Sequence, residues 1–364
     1  MVGGTIGGAL VKMGNCAGKA PESGISAEAI PTKVIVFDCG TGESKALLYE
    51  LKAGGKIAVR ELKKFGTFES FIMSDNTAEL VELVAEIAVA SQEGGQCTRI
   101  ALGLSAWFRD ALQDTTPRGA STKNKAERAM IEVDVRLRSL EPPVLVDKIE
   151  LSEIDEALFE ATAVSYAAEY SGLPPTGVVV GSGGGSIQFT YLDPMGVSGP
   201  MPNSIPLGFR AGVKLMQEGA EGAAAGADEW DAKCKEQIAA FMDQRSLAAK
   251  AGNCVAISAC YYGSQLVKIG GDLQKVAAKD VKAAFLAKKE ELRKTLEGGA
   301  AEGMDAATKK TTFNDLANST MQYHLFSNLL ADDAQVHFGR NWVVDGENFR
   351  TTWSAGWFMR KHCC

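Results

Sequence analysis

Residues 178–192 hold the groups in this chain that are best suited to chemistry. They read Val-Val-Val-Gly-Ser-Gly-Gly-Gly-Ser-Ile-Gln-Phe-Thr-Tyr-Leu, an apolar run followed by a glycine cluster and an alternating run. The pattern predicts two strands joined by a tight turn, whose successive N–H groups can cradle an anion, most often phosphate. Ser186 and Gln188 on the second strand could hold a water molecule or a phosphate oxygen. A plain hairpin with a flexible tip is the alternative, because a glycine-rich turn alone is a weak signal.

The same pattern occurs a second time, earlier in the chain. Residues 34–51 read Val-Ile-Val-Phe-Asp-Cys-Gly-Thr-Gly-Glu-Ser-Lys-Ala-Leu-Leu-Tyr-Glu-Leu, and Asp38 occupies the place that Gly181 has in the later copy. Two strand–turn–strand copies predict two related α/β lobes that face one nucleotide across a cleft. In this respect the chain resembles the actin/Hsp70/sugar-kinase superfamily, whose ribonuclease H-like lobes each supply one phosphate hairpin.

Composition narrows the classes of function. The chain has 364 residues, enough for two domains, and its net charge of −7 disfavours a nucleic-acid partner, which normally meets a basic surface. No apolar run approaches the roughly 20 residues of a membrane-spanning helix. Eight cysteines without a CxxC pair and only three histidines disfavour a zinc site and a Cys–His nucleophile. Most thiols are therefore predicted to be reduced, in a cytoplasmic or peripherally membrane-associated protein.

The two ends of the chain carry weaker signals. Residues 1–30 are rich in Gly, Ala and Ser and predict a flexible leader without a convincing signal peptide. A start at Met13 would place Cys16 in a sequence that resembles a lipidation site, although Gly18 falls where that motif has Ser or Thr. The terminal Cys363-Cys364 pair could accept prenyl groups, and a free-thiol tail is the alternative. Peripheral membrane contact through these cysteines is thus a secondary prediction.

Hydrophobic periodicity predicts the elements between the two hairpins and after them. Strands are predicted at 33–39, 44–52, 56–64, 99–104, 144–151 and 336–344, and helices at 77–92, 122–139, 152–170, in 210–250, in 280–330 and from about 353. Residues 31–152 and 345–364 are assigned to lobe one, and residues 153–344 to lobe two.

Six short motifs, in chain order, resemble those of the apyrase (GDA1/CD39) family of nucleoside phosphatases, which is related to exopolyphosphatases and guanosine-pentaphosphate phosphatases. They are Asp38-Cys-Gly-Thr-Gly42, Ser105-Ala-Trp-Phe-Arg109, Leu151-Ser152 with Glu156-Ala-Leu-Phe and Tyr166, Gly183-Gly-Gly-Ser-Ile-Gln188, Ile257-Ser-Ala-Cys-Tyr-Tyr262 and Thr352-Trp-Ser-Ala-Gly356. The resemblance implies hydrolysis of terminal phosphates from nucleoside tri- and diphosphates by a metal-assisted, in-line attack of water.

Roles follow from the resemblance, position by position. Glu156 would be the general base, and Ser186 and Gln188 would position the attacking water. Asp38 would orient water on a divalent cation, Mg²⁺ or Ca²⁺. The residues expected to bind phosphate are Thr41, Gly42, Arg109, Gly183, Gly184 and Gly185, and those that would stack on a base or simply pack are Tyr261 and Tyr262. These groups supply the alignment and charge compensation that phosphoryl transfer needs.

The chain departs from the family at Gly181, where the fourth apyrase region normally has Asp. The resemblance therefore implies that a second metal-organising carboxylate is missing, and that Gly181→Asp would raise turnover or metal affinity. Glu160, one helical turn after Glu156, is expected to lie beyond the reach of the water. Two alternatives remain open: an exopolyphosphatase or pppGpp phosphatase, and a degenerate nucleotide-binding protein with little turnover, which Gly181 favours.

Overall fold

Two large β-sheets, each built around one of the predicted hairpins, form the frame of the protein. The structure, a computed structural model, describes residues 33–40, 43–92, 97–171, 177–193, 196–197, 203–219, 222–244, 251–268, 275–339, 341–344 and 347–363. The predicted leader, Cys16, Thr41, Gly42 and Cys364 lie outside these residues. No helix in the described ranges is long and apolar enough to cross a bilayer.

The first sheet has five strands in the order β3-β2-β1-β4-β5. They are β1 (Lys33–Cys39), β2 (Ser44–Leu51), β3 (Ile57–Phe65), β4 (Arg99–Leu104) and β5 (Leu145–Glu150). β1 pairs antiparallel with β2 and parallel with β4, so it lies at the centre of the sheet. Its continuous apolar run is buried, as expected for a central strand that is covered on both faces.

Helices cover one face of this sheet. They are α1 (Phe68–Met73), α2 (Thr77–Gln92), α3 (Ala106–Gln113) and α4 (Pro117–Arg138). α4 begins earlier than the predicted start at residue 122. The reason is local, because Pro117 suits the first helical turn and the Thr116 side chain accepts a hydrogen bond from Gly119 N.

The second sheet repeats the arrangement of the first. Its order is β11-β12-β10-β6-β7-β8, with β9 paired to β7. The strands are β6 (Gly177–Ser182), β7 (Ile187–Asp193), β8 (Gly196–Val197), β9 (Asn203–Ile205), β10 (Ala251–Ser258), β11 (Lys275–Ala277) and β12 (Leu330–Phe338). β6 has an antiparallel neighbour, β7, and a parallel neighbour, β10, just as β1 has β2 and β4. The internal repeat predicted from the two hairpins is present.

The remaining helices, in chain order, are α5 (Glu153–Ser171), α6 (Phe209–Glu218), α7 (Ala223–Gln244), α8 (Tyr262–Leu266), α9 (Ala278–Thr295), α10 (Ala306–Leu329) and α11 (Trp353–His362). Two of them, α5 and α11, lie between the sheets, and the others pack on the second sheet. One core contains Val36 of β1, Val179 of β6, Ala161 of α5 and Phe358 of α11, so α5 and α11 contact both sheets. The assignment of residues to two lobes stays a prediction.

The strand predicted at 336–344 is divided in the structure. β12 leaves the second sheet after Phe338, and β13 (Asn341–Val344) pairs instead with β14 (Glu347–Arg350). Gly339 interrupts the apolar run at this point, and its N–H still donates to Ala256 O at 3.1 Å. The chain then continues into α11, where Cys363 is half-buried beside the shared core.

Candidate active site

A cleft of about 540 Å³ is lined by both hairpins and by the segments that follow them. Asp38 and Gly40 come from the end of β1, and Glu156 and Glu160 come from α5. The turn at 183–185 and the segment before α11 complete this part of the wall. The structure thus places Asp38 and the second glycine turn on the same cleft.

The second glycine turn is held from behind by the start of α6. Gly183 N donates to Ser186 O at 2.9 Å and Arg210 N donates to Gly184 O at 3.2 Å. A Cβ on Gly208 would lie 2.1 Å from Gly184 O, so only glycine permits this approach. A Cβ on Gly183 would meet nothing within 4 Å, which leaves the front of the turn open to a ligand.

Four of the predicted site residues form one buried network. Arg109 of α3 donates through Nη1 to Glu156 Oε2 at 2.8 Å and to Leu151 O at 3.1 Å, and through Nη2 to Ser186 Oγ at 3.2 Å. Gln188 Nε2 also donates to Ser186 Oγ. Because Ser186 Oγ accepts two hydrogen bonds, its own proton is left for a ligand. The network connects the helix after β4 with the second hairpin.

Arg109 has a different part in this network from the one the resemblance implies. Its side chain is 9% exposed, that of Glu156 is 13% exposed, and Arg109 is not among the residues that line the cleft. The guanidinium therefore fixes the Glu156 carboxylate and the Ser186 hydroxyl in place. Direct contact between Arg109 and a phosphate stays a prediction.

Asp38 is oriented by Trp353, at the start of α11. Trp353 Nε1 donates to Asp38 Oδ1 at 2.9 Å, and the indole ring lies so close to β4 that a Cβ on Gly103 would be 2.0 Å from it. Burial raises the pKa of Asp38, and Lys45 opposes this shift. The motif at 352–356 thus contributes a side chain to the site.

Trp107, in the second of the six motifs, supports the first turn. Its Nε1 donates to Cys39 O at 2.8 Å, and Ser105 Oγ donates to the same carbonyl at 2.9 Å. The backbone that leads into the first glycine turn is therefore fixed from below by two side chains of the second motif.

Glu160 is the functional candidate that the sequence reasoning missed. It lines the cleft with 5% exposure, Ser258 Oγ donates to its Oε1 at 3.2 Å, and its Oε2 has no hydrogen-bond partner among the described residues. Burial, with Glu156 nearby, raises the pKa of Glu160 well above its ordinary value. The expectation that Glu160 lies beyond the reach of the attacking water stays a prediction, although residues four apart share one face of a helix and both Glu156 and Glu160 line the cleft. That spacing was the available signal.

The two tyrosines and three amide side chains line another part of the same cleft. Tyr261 and Tyr262 line the cleft together with Gln265, Asn314 and Asn318. The ring of Tyr262 is tilted against Phe285, with centroids 6.5 Å apart, and burial followed by Asp315 raises its pKa. Part of the Tyr262 ring therefore packs on the core, and stacking on a base stays a prediction.

A divalent cation would have to be held mainly through water. Among the described residues, no group of three His, Cys, Asp or Glu side chains is arranged to bind a metal directly. Mg²⁺ usually keeps several water ligands and uses one or two carboxylates with substrate phosphates. Asp38 and Glu160, which both line the cleft, carry carboxyl groups that fit that manner of binding.

Comparison with known proteins bears on the fold. No protein-family model and no curated protein matches the chain. A member of the Ppx/GppA family from Aquifex aeolicus matches with a TM-score of 0.57 and 11% identity, over 90% of this chain and 97% of that one. An exopolyphosphatase from Cytophaga hutchinsonii gives a TM-score of 0.58 at 11% identity, over 90% and 97% of the two chains. An exopolyphosphatase-like protein gives 0.52 at 13% identity, over 86% and 96%.

At such low identities these similarities concern the fold alone. They agree with the predicted two-lobed α/β fold, whereas membership of the superfamily and of the apyrase family stays a prediction. The chain has the predicted α/β fold of two actin-like lobes with a cleft between them.

Proposed function

We propose that the protein hydrolyses the terminal phosphoanhydride bond of a nucleoside polyphosphate or a polyphosphate chain bound in the cleft. The observation that carries this proposal is the network of Arg109, Glu156, Ser186 and Gln188 beside the glycine turn. It combines a fixed carboxylate, a hydroxyl with a free proton and the backbone N–H groups of Gly184 and Gly185, whereas Gly183 N–H closes the hairpin onto Ser186 O. These are a base, a water-positioning group and a phosphate cradle.

The chemistry follows from those groups. The N–H groups of Gly184 and Gly185 hold the terminal phosphate, and Ser186 and Gln188 place a water in line with the scissile bond. Glu156 takes a proton from this water while the water oxygen bonds to phosphorus and the bridging oxygen leaves with the bonding electrons. A positioned base contributes about 10²–10⁴-fold to such a step.

A divalent cation, Mg²⁺ or Ca²⁺, would neutralise charge on the phosphate oxygens when bound. Asp38 would hold one of its water ligands, because the carboxylate lies on the cleft and is oriented by Trp353. Lys45 also lines this side of the cleft and supplies positive charge near Asp38.

Nucleoside di- and triphosphates are the favoured substrates. Beyond the turn, the cleft offers aromatic rings and amides that suit a base and a sugar: Phe209, Tyr261, Tyr262, Gln265, Asn314 and Asn318. The charged residues of the described lining are mostly acidic: Asp38, Glu43, Glu156, Glu160 and Asp315 against Lys45 and Arg350. A long polyanion would meet repulsion along this wall, whereas a nucleoside needs no positive charge.

Inorganic polyphosphate or pppGpp is the second candidate substrate. It is favoured by the fold neighbours, of which one is described as an exopolyphosphatase and another as exopolyphosphatase-like. A protein with this fold that binds nucleotide and turns it over very slowly is the remaining alternative.

Phosphate release from ATP, ADP, GDP, pppGpp and polyphosphate, each with Mg²⁺, with Ca²⁺ and with EDTA, tests the proposal. Hydrolysis of nucleotides that EDTA abolishes is the expected result. Faster phosphate release from polyphosphate than from nucleotides would identify polyphosphate, the second candidate, as the substrate. Nucleotide binding without release from any member of the panel would refute hydrolysis.

A further inference from the structure

Corresponding strand positions in the two sheets differ, because only the one in the first sheet carries a carboxylate. Asp38 of β1 lies opposite Lys45 of β2 and Gly103 of β4. Gly181 of β6 has the same place in the second sheet, opposite Gln188 of β7 and Ile257 of β10. The internal repeat therefore marks position 181 as the counterpart of Asp38.

The space above Gly181 is filled by Glu160. A Cβ on Gly181 would lie 2.3 Å from Glu160 Oε2, 2.9 Å from its Cδ and 3.0 Å from its Oε1. These are the nearest atoms, and all three belong to the carboxyl group of Glu160. The carboxylate thus occupies the volume of a side chain at 181, although it comes from α5 rather than from the strand.

Glu160 is buried, and only one of its two carboxyl oxygens has a hydrogen-bond partner among the described residues. Its Oε1 accepts from Ser258 Oγ, whereas Oε2 is buried and has no partner among the described residues. A buried polar atom without a hydrogen-bond partner destabilises the fold unless a ligand supplies one. Ser258 itself has φ 55° and ψ −131°, a backbone conformation that residues other than glycine rarely adopt. Such strain is typical of functional sites, where the surrounding structure enforces it.

We propose that Glu160 is the second carboxylate of the cleft, and that its carboxyl group accepts a hydrogen bond from a water ligand of a divalent cation that Asp38 holds from the other sheet. This inference rests on the proposed function, because it concerns the same cleft. It also explains Gly181: a side chain at that position and Glu160 exclude each other. The carboxylate that the resemblance implies to be missing at position 181 is supplied instead by Glu160 of α5.

If Glu160 takes the place of a carboxylate at position 181, a double-mutant cycle of the two positions should show a specific pattern. Gly181→Asp alone disrupts the site, since its Cβ already overlaps Glu160. Glu160→Ala alone removes the carboxylate and opens the space above 181. The double variant Glu160→Ala with Gly181→Asp returns a carboxylate to that space and restores cation binding. Additive losses would show that the two positions do not share one volume.

Binding of Mn²⁺, measured by electron paramagnetic resonance of the free ion, is the readout, with circular dichroism to verify folding. We expect Glu160→Gln, which keeps the side-chain volume, to weaken Mn²⁺ about 10- to 100-fold, as loss of an outer partner of a metal ligand does. Glu169→Gln, on the exposed face of the same helix, is the matched control and should bind as the wild type does.

Three results would overturn the inference: no Mn²⁺ binding by the wild type, wild-type affinity in Glu160→Gln, or a double variant as weak as Glu160→Ala. Because this readout needs no turnover, the two proposals fail separately. If cation binding depends on Glu160 but the protein hydrolyses no member of the panel, only the proposed function is refuted. If the protein hydrolyses a substrate but its cation affinity does not depend on Glu160, only this inference is refuted.

Discussion

Replacing Arg109 by methionine removes the guanidinium that fixes Glu156 and Ser186. The side chain makes three hydrogen bonds, at 2.8, 3.1 and 3.2 Å, to Glu156, Leu151 and Ser186. With side-chain exposures of 9% and 13%, Arg109 and Glu156 form a largely buried ion pair. Breaking such a pair from one side costs about 3–5 kcal/mol, because the remaining charge stays buried without compensation. We expect a loss of this size for Arg109→Met.

Urea unfolding of four proteins measures that cost: wild type, Arg109→Met, Glu156→Met and the double variant. The double variant should be clearly more stable than Arg109→Met, since replacing both charges with apolar groups leaves no unpaired carboxylate. Arg109→Met should also lose phosphate release. A loss of stability below about 1 kcal/mol, within the range of an exposed pair, would refute the reasoning. So would a double variant less stable than either single one.

Three further predictions follow from the packing around the site. Gly208→Ala should lower phosphate release about 100-fold and destabilise the fold by about 1–3 kcal/mol, because its Cβ would push the peptide at Gly184 out of place. Gly356→Ala should destabilise the fold by about 1–3 kcal/mol in urea, because its Cβ would lie 1.8 Å from Phe159 O where α11 crosses α5. Burial, with Arg99 nearby, lowers the pKa of His362 to about 4, so between pH 6.5 and pH 4 only the unfolded chain binds this proton. Stability should fall by about 3 kcal/mol over that range, and His362→Phe should abolish this part of the pH dependence.

Local patterns in the sequence were sufficient for most of the elements. β1, α2 and β4 begin and end at the predicted residues, because their apolar periods are regular and their ends are marked by polar or glycine residues. The duplication of the hairpin predicted the repeated sheets, since each copy carries its own turn and alternation. The division of residues 336–344 between β12 and β13 depends on which strands are neighbours, and a strand pattern does not specify its partner.

The site was predictable as a set of segments but not as a set of contacts. The motifs predicted that Asp38, Glu156 and the second glycine turn lie near one another, and all of them line one cleft. The role of Glu160 is not visible in the sequence, because Gly181 and Glu160 lie 21 positions apart and the carboxyl group meets the glycine only in the folded chain. The same holds for Trp107 and Trp353, whose indole N–H groups reach Cys39 O and Asp38 across the chain. Tertiary contacts of this kind leave no periodic trace in the sequence.

The account depends most on Glu156 as the base that activates water. Its most direct test is the steady-state rate of phosphate release by Glu156→Gln on the best substrate of the panel, with substrate binding measured alongside. Glu169→Gln on the same helix serves as the control. The substitution keeps size and most hydrogen bonding but removes basicity, so kcat should fall about 100-fold or more while affinity is nearly kept. Hydrolysis by Glu156→Gln at the wild-type rate would contradict the account.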